Sequence, residues 1–326
     1  MTAIVQQAGA ATKARTLIDP HGRWIRKMRV QLTDVCNFRC TYCMPPDIKF
    51  QPSSTLLPPD ELVAMCGGLV NAGIRQLRLT GGEPLARREF RQIVEGLSTL
   101  PVEKLGLTTN AYWLEEWLPF LADTPCRHLN ISLDSLQADK FHRITGNAHF
   151  DKVHRAILRA KDMGFAVKVN AVLLREANFD EVEDFAAFSA RYEIPVRFLE
   201  LMKIGPQRER HHRDFVTARE VIDRLRQRMT LTPMDDDADA TAFSFRTDQG
   251  GEVGFIASES QPFCGTCSRL RLSARGKLRA CLMSEDGVDL KGVPLEQYPD
   301  MLARVMPMKP TGRLPEIAQS MHEIGG

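Results

Sequence analysis

An α/β fold, with a parallel sheet covered on both faces by helices, is predicted by three observations. Strand-length apolar runs alternate with helix-length stretches between residues 27 and 201. Those runs are short and apolar, as strands buried on both faces are. Small polar residues gather at their ends, where parallel sheets collect ligands.

The elements follow in order. Residues 1–22 carry little hydrophobic pattern and are expected to fray or wrap the surface. Residues 27–32 lead into a group of cysteines. Residues 57–72 read as a helix, opened by Pro58-Pro59, with Asp60 and Glu61 at its positive end. Strands are expected at 74–80, 104–108, 128–133, 166–174 and 196–201, with helices at 87–100, 112–122, 152–163 and 179–191 between them. Their polar ends are Thr80-Gly81-Gly82-Glu83-Pro84, Thr108-Thr109-Asn110, Ser132-Leu133-Asp134 and Glu200 to Met202, with Asn170 inside the fifth strand. Any one of these clusters is ordinary turn chemistry; their coincidence indicates a site. Periodicity does not distinguish an open sheet from a curled one.

Past Gly205 the pattern changes. Residues 208–213 read as a solvated basic loop. Thr217-Ala218-Arg219-Glu220 is a capping box for a helix running to about residue 229. Asp235-Asp236-Asp237 reads as an exposed acidic loop, with no metal implied. Alternating segments follow at 243–246 and 252–256.

The chain of 326 residues is long enough for one large domain or two smaller ones. A net charge of +2 argues against general binding to nucleic acid or membrane, so any anion site must be a local basic cluster. No apolar run reaches membrane-spanning length, and the N-terminus lacks the apolar region of a secretory signal. A cytoplasmic protein is expected. Eight cysteines, grouped toward the two ends, read as metal ligation rather than a disulfide framework.

Cys36, Cys40 and Cys43 form a C-x₃-C-x₂-C run. Thiolates select iron–sulfur clusters, zinc or copper(I). Closed sites want four protein ligands, so a local set of three leaves a coordination position free. A zinc site borrowing a distant ligand is the alternative. Cys66 and Cys126 stand alone and read as core thiols. A second trio, Cys264, Cys267 and Cys281, suits zinc or a second cluster equally by spacing. Beside it, Arg269 and Arg271 alternate on a strand, followed by Arg275 and Lys277. They would point the same way and suit a phosphorylated substrate, or else form a solvated face.

The first trio, with Tyr42 before its last cysteine and Met44-Pro45 after it, resembles the cluster motif of radical S-adenosylmethionine (SAM) enzymes. The resemblance implies a partial (β/α)6 TIM-type barrel and a [4Fe–4S] cluster whose free iron chelates SAM. Gly81-Gly82-Glu83-Pro84 resembles the family's glycine-rich SAM site, which assigns Tyr42, Gly82, Ser132 and Met202 to SAM. Two open trios, the second laced with arginines, resemble the GTP 3′,8-cyclase family over residues 22 to 283, and Gly325-Gly326 matches its terminal glycine pair.

That likeness implies a second [4Fe–4S] cluster on Cys264, Cys267 and Cys281, and GTP contacts from Arg29, Arg78, Thr108, Lys168, Arg269 and Arg271. It implies removal of the ribose 3′ hydrogen by a 5′-deoxyadenosyl radical and closure onto guanine C8, with no acid or base residue assigned. An external one-electron donor and hand-over to cyclic pyranopterin monophosphate synthase come with it, in a monomer or homodimer. The implied division is a flexible segment 1–22, a barrel 23–205 and an α+β C-terminal domain 206–326 carrying the second cluster and the Gly-Gly tail. Val35 stands where the family usually has arginine, and Ala111 where it has glycine. Rival readings are a peptide-modifying radical SAM enzyme and a non-enzymatic zinc module that binds nucleic acid.

Overall fold

A computed structural model describes residues 16–45, 47–205 and 207–325. Most of the N-terminal segment expected to fray, and Gly326 of the closing pair, lie outside the described residues.

The strands are β1 (Lys27–Gln31), β2 (Gln76–Thr80), β3 (Lys104–Thr109), β4 (His128–Ser132), β5 (Ala166–Val172), β6 (Val196–Leu199), β7 (Leu231–Pro233), β8 (Phe243–Thr247), β9 (Glu252–Ile256), β10 (Arg269–Leu272), β11 (Lys277–Arg279) and β12 (Gly287–Asp289). Among the described residues they form one twelve-stranded sheet, ordered β12-β11-β10-β1-β2-β3-β4-β5-β6-β9-β8-β7. Strands β10, β1 to β6 and β9 run parallel. The expected parallel α/β sheet is therefore present. The residues after 206 extend it at both edges, through β10 beside β1 and β9 beside β6.

The helices are α1 (Pro59–Ala72), α2 (Phe90–Ser98), α3 (Leu114–Ala122), α4 (Ala138–Thr145), α5 (Phe150–Asp162), α6 (Val182–Tyr192), α7 (Gln207–Asp214), α8 (Ala218–Arg226), α9 (Tyr298–Val305) and α10 (Met321–Ile324). In α5 the buried residues Val153, Ala156, Ile157 and Ala160 fall on one face at helical spacing. The capping box of α8 is formed: the Thr217 hydroxyl accepts from the Glu220 amide, and the Glu220 carboxylate accepts from the Thr217 amide. Helix α9 docks on α1 through Tyr298, which is buried. A Cβ at Gly68 would lie 2.8 Å from that ring, so only glycine admits the contact. No described helix is long and apolar enough to cross a membrane.

One expectation fails. Residues 208–213, read as a loop, lie in α7. The local sequence is hydrophilic, but His211 is buried, with its Nε2 at 2.8 Å from the Leu201 carbonyl and its ring stacked on Phe215 at 4.6 Å. One anchored side chain supplies what an amphipathic pattern would otherwise announce.

Strict alternation along the parallel strands decides what the sheet encloses. Met28 and Val30, Leu77 and Leu79, Leu129 and Ile131, and Val196 and Phe198 are buried in the main core. The alternate positions hold Arg29, Arg78, Asn130 and Arg197. Side chains from β1, β3, β4, β5, β6, β9 and β10 line one cavity of about 320 Å³, so the sheet curls around a common lumen. Ordinary (β/α)₈ barrels fill that space with branched apolar side chains. Here a cavity remains, with Arg29, Arg197 and Asn130 set among apolar side chains in its lining.

The tips of β2 and β3 are joined by Glu83. Its buried carboxylate accepts from the Thr109 hydroxyl (2.7 Å), the Asn110 amide (2.7 Å) and the Leu85 amide (3.0 Å). Burial nevertheless outweighs these bonds and raises the Glu83 pKa to about 7. Just beyond, Ala111 adopts a left-handed conformation (φ 62°) and is fully buried. That conformation costs an L-residue about 1–2 kcal/mol. Glycine would relieve it, but would lose about 0.8 kcal/mol of methyl burial and about 0.4–1 kcal/mol through a freer unfolded chain. The two residues are therefore nearly equivalent here, which explains why alanine stands in the family's glycine position.

Two outcomes follow for urea unfolding of the metal-free protein. Ala111→Gly shifts stability by less than about 1 kcal/mol, whereas Ala111→Val, β-branched at positive φ, loses more than about 2 kcal/mol. The Glu83 pKa is raised in the folded state, so its contribution is fully present below the unfolded value near 4.5 and is lost as pH rises through about 7. Glu83→Gln cannot titrate, so the stability of wild type relative to this variant is highest below about pH 4.5, falls as pH rises to about 7, and is flat above it.

Candidate active site

The first trio sits on the loop after β1, and the glycine pair after β2 holds that loop in place. The Gly82 amide donates to the Thr33 carbonyl at 2.7 Å and the Glu83 amide to the Val35 carbonyl at 2.8 Å. A Cβ on Gly82 would overlap the Val35 carbonyl oxygen, so the second glycine is required for backbone to lie on backbone. Val35 engages through its main chain while its side chain is 37% exposed. The missing arginine is therefore not needed to shape this loop. Arg39 braces it instead, donating to the carbonyls of Cys36 (2.7 Å) and Phe38 (2.8 Å).

Cys36, Cys40 and Cys43 all line the cavity. Burial, with the Glu83 carboxylate adding to it, raises the Cys36 thiol to about 11. Burial also raises Cys43 to about 12 and moves Cys40 upward. Three thiolates at this place need a cationic centre among them. Across the lumen, Cys264, Cys267 and Cys281 line the same cavity. Burial would raise Cys267 as well, but Arg269 and Lys309 outweigh it and lower the thiol to about 6. The Arg269 Nη2 lies 3.3 Å from the Cys267 sulfur, and its guanidinium covers the Phe263 ring at 4.8 Å. Among the described residues no three His, Cys, Asp or Glu side chains gather tightly enough for one bare ion. Each trio is a soft, all-thiol donor set with no fourth protein ligand, which fits a [4Fe–4S] cluster with a free position.

The four residues assigned to SAM, Tyr42, Gly82, Ser132 and Met202, all border the cavity. Tyr42 is fixed by its hydroxyl, which donates to Asp134 at 2.8 Å. Asp134 also accepts from the Val172 amide at 2.9 Å, and burial raises its carboxyl to about 6. Asn170 lines the same space, and its buried Oδ1 has no partner. Such an orphan acceptor marks a place where a ligand donor belongs.

Of the six positions assigned to GTP, Arg29, Thr108, Arg269 and Arg271 line the cavity, whereas Arg78 and Lys168 do not. Arg271, Arg29 and Arg78 sit side by side in register on β10, β1 and β2. Burial, then the neighbouring arginines, holds Arg29 well below the usual guanidinium range, and burial with Arg197 brings Arg78 to about 10. Arg78 donates to the Leu107 carbonyl at 3.3 Å, and the Lys168 Nζ lies 3.9 Å from Glu252. Lys168 thus already has a carboxylate near it.

Arg197 was not singled out from the sequence, yet it lines the cavity. The alternation Val196-Arg197-Phe198 carried that information. The C-terminal tail also reaches the lumen. The Gly325 carbonyl accepts from Arg271 (2.5 Å) and from Thr80 (3.3 Å), while Gln31 donates to the His322 carbonyl at 2.8 Å.

Comparison with known proteins agrees with this geometry. A model of the Radical SAM superfamily matches residues 30–189, and one described as Molybdenum Cofactor Synthesis C matches residues 194–306. A GTP 3′,8-cyclase from Synechocystis sp. is 43% identical over 317 residues, covering 97% of each chain. One from Aquifex aeolicus is 35% identical, covering 84% of this chain and 87% of its own. The crystal structure of Streptococcus suis SuiB bound to S-adenosylmethionine shares the fold at a TM-score of 0.62 and 12% identity, covering 88% of this chain and 69% of that one. From the paired thiol trios, the curled sheet and near full-length relatives, the chain belongs to the GTP 3′,8-cyclase family of the radical SAM superfamily.

Proposed function

We propose that the protein cyclises GTP to (8S)-3′,8-cyclo-7,8-dihydroguanosine 5′-triphosphate, the first step of molybdenum cofactor biosynthesis. The observation that carries this reading is one cavity lined by two open thiol trios and by Arg29, Arg269 and Arg271, which form no ion pair with a carboxylate among the described residues. When bound, the first cluster and SAM supply the 5′-deoxyadenosyl radical that removes the ribose 3′ hydrogen. The chain's own residues bind and orient.

Cys36, Cys40 and Cys43 would hold the first cluster, and Cys264, Cys267 and Cys281 a second. Tyr42, kept in place by Asp134, forms a rigid wall for the adenine side of SAM, with Ser132 and Met202 beside it. The Gly82 amide is already used by Thr33, which leaves its carbonyl for the methionine ammonium. Arg29, Arg269 and Arg271 present a block of fixed positive charge to a triphosphate, and Arg197 adds a further cation. Arg78 on β2, in register with Arg29, and Lys168 on β5, in register with Asn130, reinforce its potential. Thr108 offers a hydroxyl. Buried guanidiniums need an anion beside them, and the GTP triphosphate supplies it. Substrate filling the lumen excludes water and protects a carbon radical. An external one-electron donor feeds the first cluster, and the product passes to cyclic pyranopterin monophosphate synthase.

After anaerobic reconstitution, the chain is expected to carry about eight irons, two clusters of four, and to convert GTP plus SAM to the cyclised nucleotide under reduction. Tightly held zinc without sulfide, or SAM cleavage indifferent to GTP, would rule the reading out. Arg29→Ala weakens GTP binding by about 10- to 100-fold, the worth of one charged hydrogen bond, as measured by equilibrium binding.

A further inference from the structure

Lys309, just beyond α9, is only 3% exposed. Its Nζ donates to the Arg269 carbonyl at 2.6 Å and the Ala280 carbonyl at 3.0 Å, on residues close in sequence to Cys267 and Cys281, and the lysine lines the same cavity as both thiols. The main chain is held as firmly. The Lys309 amide donates to the Met306 carbonyl at 3.0 Å, and its carbonyl accepts from Arg23 at 3.0 Å. The same Arg23 guanidinium spans the carbonyls of Cys264 (2.8 Å) and Pro310 (2.6 Å) and is locked by Asp19 at 2.6 Å. The ammonium is therefore aimed at the second thiol trio by a scaffold that also grips the Cys264 main chain.

Nothing among the described residues except thiol sulfur balances this charge. Burial lowers the Lys309 pKa, and Cys267 and Cys281 are the partners that oppose that shift. A buried ammonium among neutral carbonyls alone is costly. A cluster bound by three thiolates is anionic and gains further negative charge on reduction. A fixed cation beside it stabilises the reduced form more, and so raises the reduction potential.

We propose that Lys309 is a positioning residue for the second cluster: its charge, fixed on the Arg269 and Ala280 carbonyls beside the trio, raises that cluster's potential, while its main chain fastens the C-terminal segment to the same site. This rests on reading Cys264, Cys267 and Cys281 as cluster ligands.

The test uses the full chain carrying Cys36→Ala, Cys40→Ala and Cys43→Ala, which leaves the second trio alone. Versions with Lys309, Lys309→Met and Lys309→Arg are reconstituted anaerobically with iron and sulfide, then titrated potentiometrically with detection by electron paramagnetic resonance. The Lys309→Met protein is expected to show a lower midpoint potential or a lower iron content, and Lys309→Arg to restore the parent's values. Equal midpoints and iron contents in the parent and Lys309→Met would overturn the proposal. So would equal losses in the Met and Arg forms, which would indicate a packing role alone. A parent protein that takes up no iron defeats the reading of the trio as a cluster site, and the proposal with it.

Discussion

Buried positive charge that no carboxylate among the described residues pairs with is the constraint on which the interior depends. Arg29 and Arg271 face a common lumen, Arg78 stands beside them in register, and each is desolvated. A polypeptide keeps such a row only if other interactions carry it. The apolar halves of the same strands do so, burying Met28, Leu77, Leu270 and their neighbours under the helices. Full burial of one such side chain stabilises by about 1.5–3 kcal/mol. The opposite faces of single strands thus divide the labour: one face supplies the stability that lets the other remain charged and empty.

The same strands explain how much could be read from the amino-acid order. Short apolar runs and intervening helices marked β1 to β6, and ligand chemistry at strand ends fell where a parallel sheet puts it. The two additions at the sheet edges were not legible. Nothing local in residues 252–256 or 269–272 says that they pair with β6 and β1, because strand partnership across long separations is written in three-dimensional fit. Helix α7 escaped for a related reason, since its anchor, His211, binds a carbonyl ten residues earlier.

Within the site, the cysteines and the glycine pair were legible because their chemistry and spacing are local. Arg78 and Lys168 were harder: they sit in register with the lining residues Arg29 and Asn130, and what each side chain reaches, the Leu107 carbonyl for Arg78 and Glu252 for Lys168, is not written locally. Glu83 was quoted only as part of a motif, yet it ties two strand tips together. The C-terminal segment carries its meaning entirely in long-range contacts. Lys309 reaches Arg269 and Ala280, Gly325 meets Arg271, and Arg23 reaches the Cys264 carbonyl of the second trio. Segments around residues 23, 309 and 325 thereby converge on the second trio and the arginine wall next to it.

The placement of β9 and β10 at opposite ends of the parallel array bears on biogenesis. Until residues 252–272 leave the ribosome, β1 and β6 each expose an unsatisfied row of main-chain donors and acceptors. Open edges of this kind are templates for adhesion between chains. The nascent barrel is therefore at its most vulnerable late in synthesis, and slow translation just upstream of β9 would lengthen that exposure.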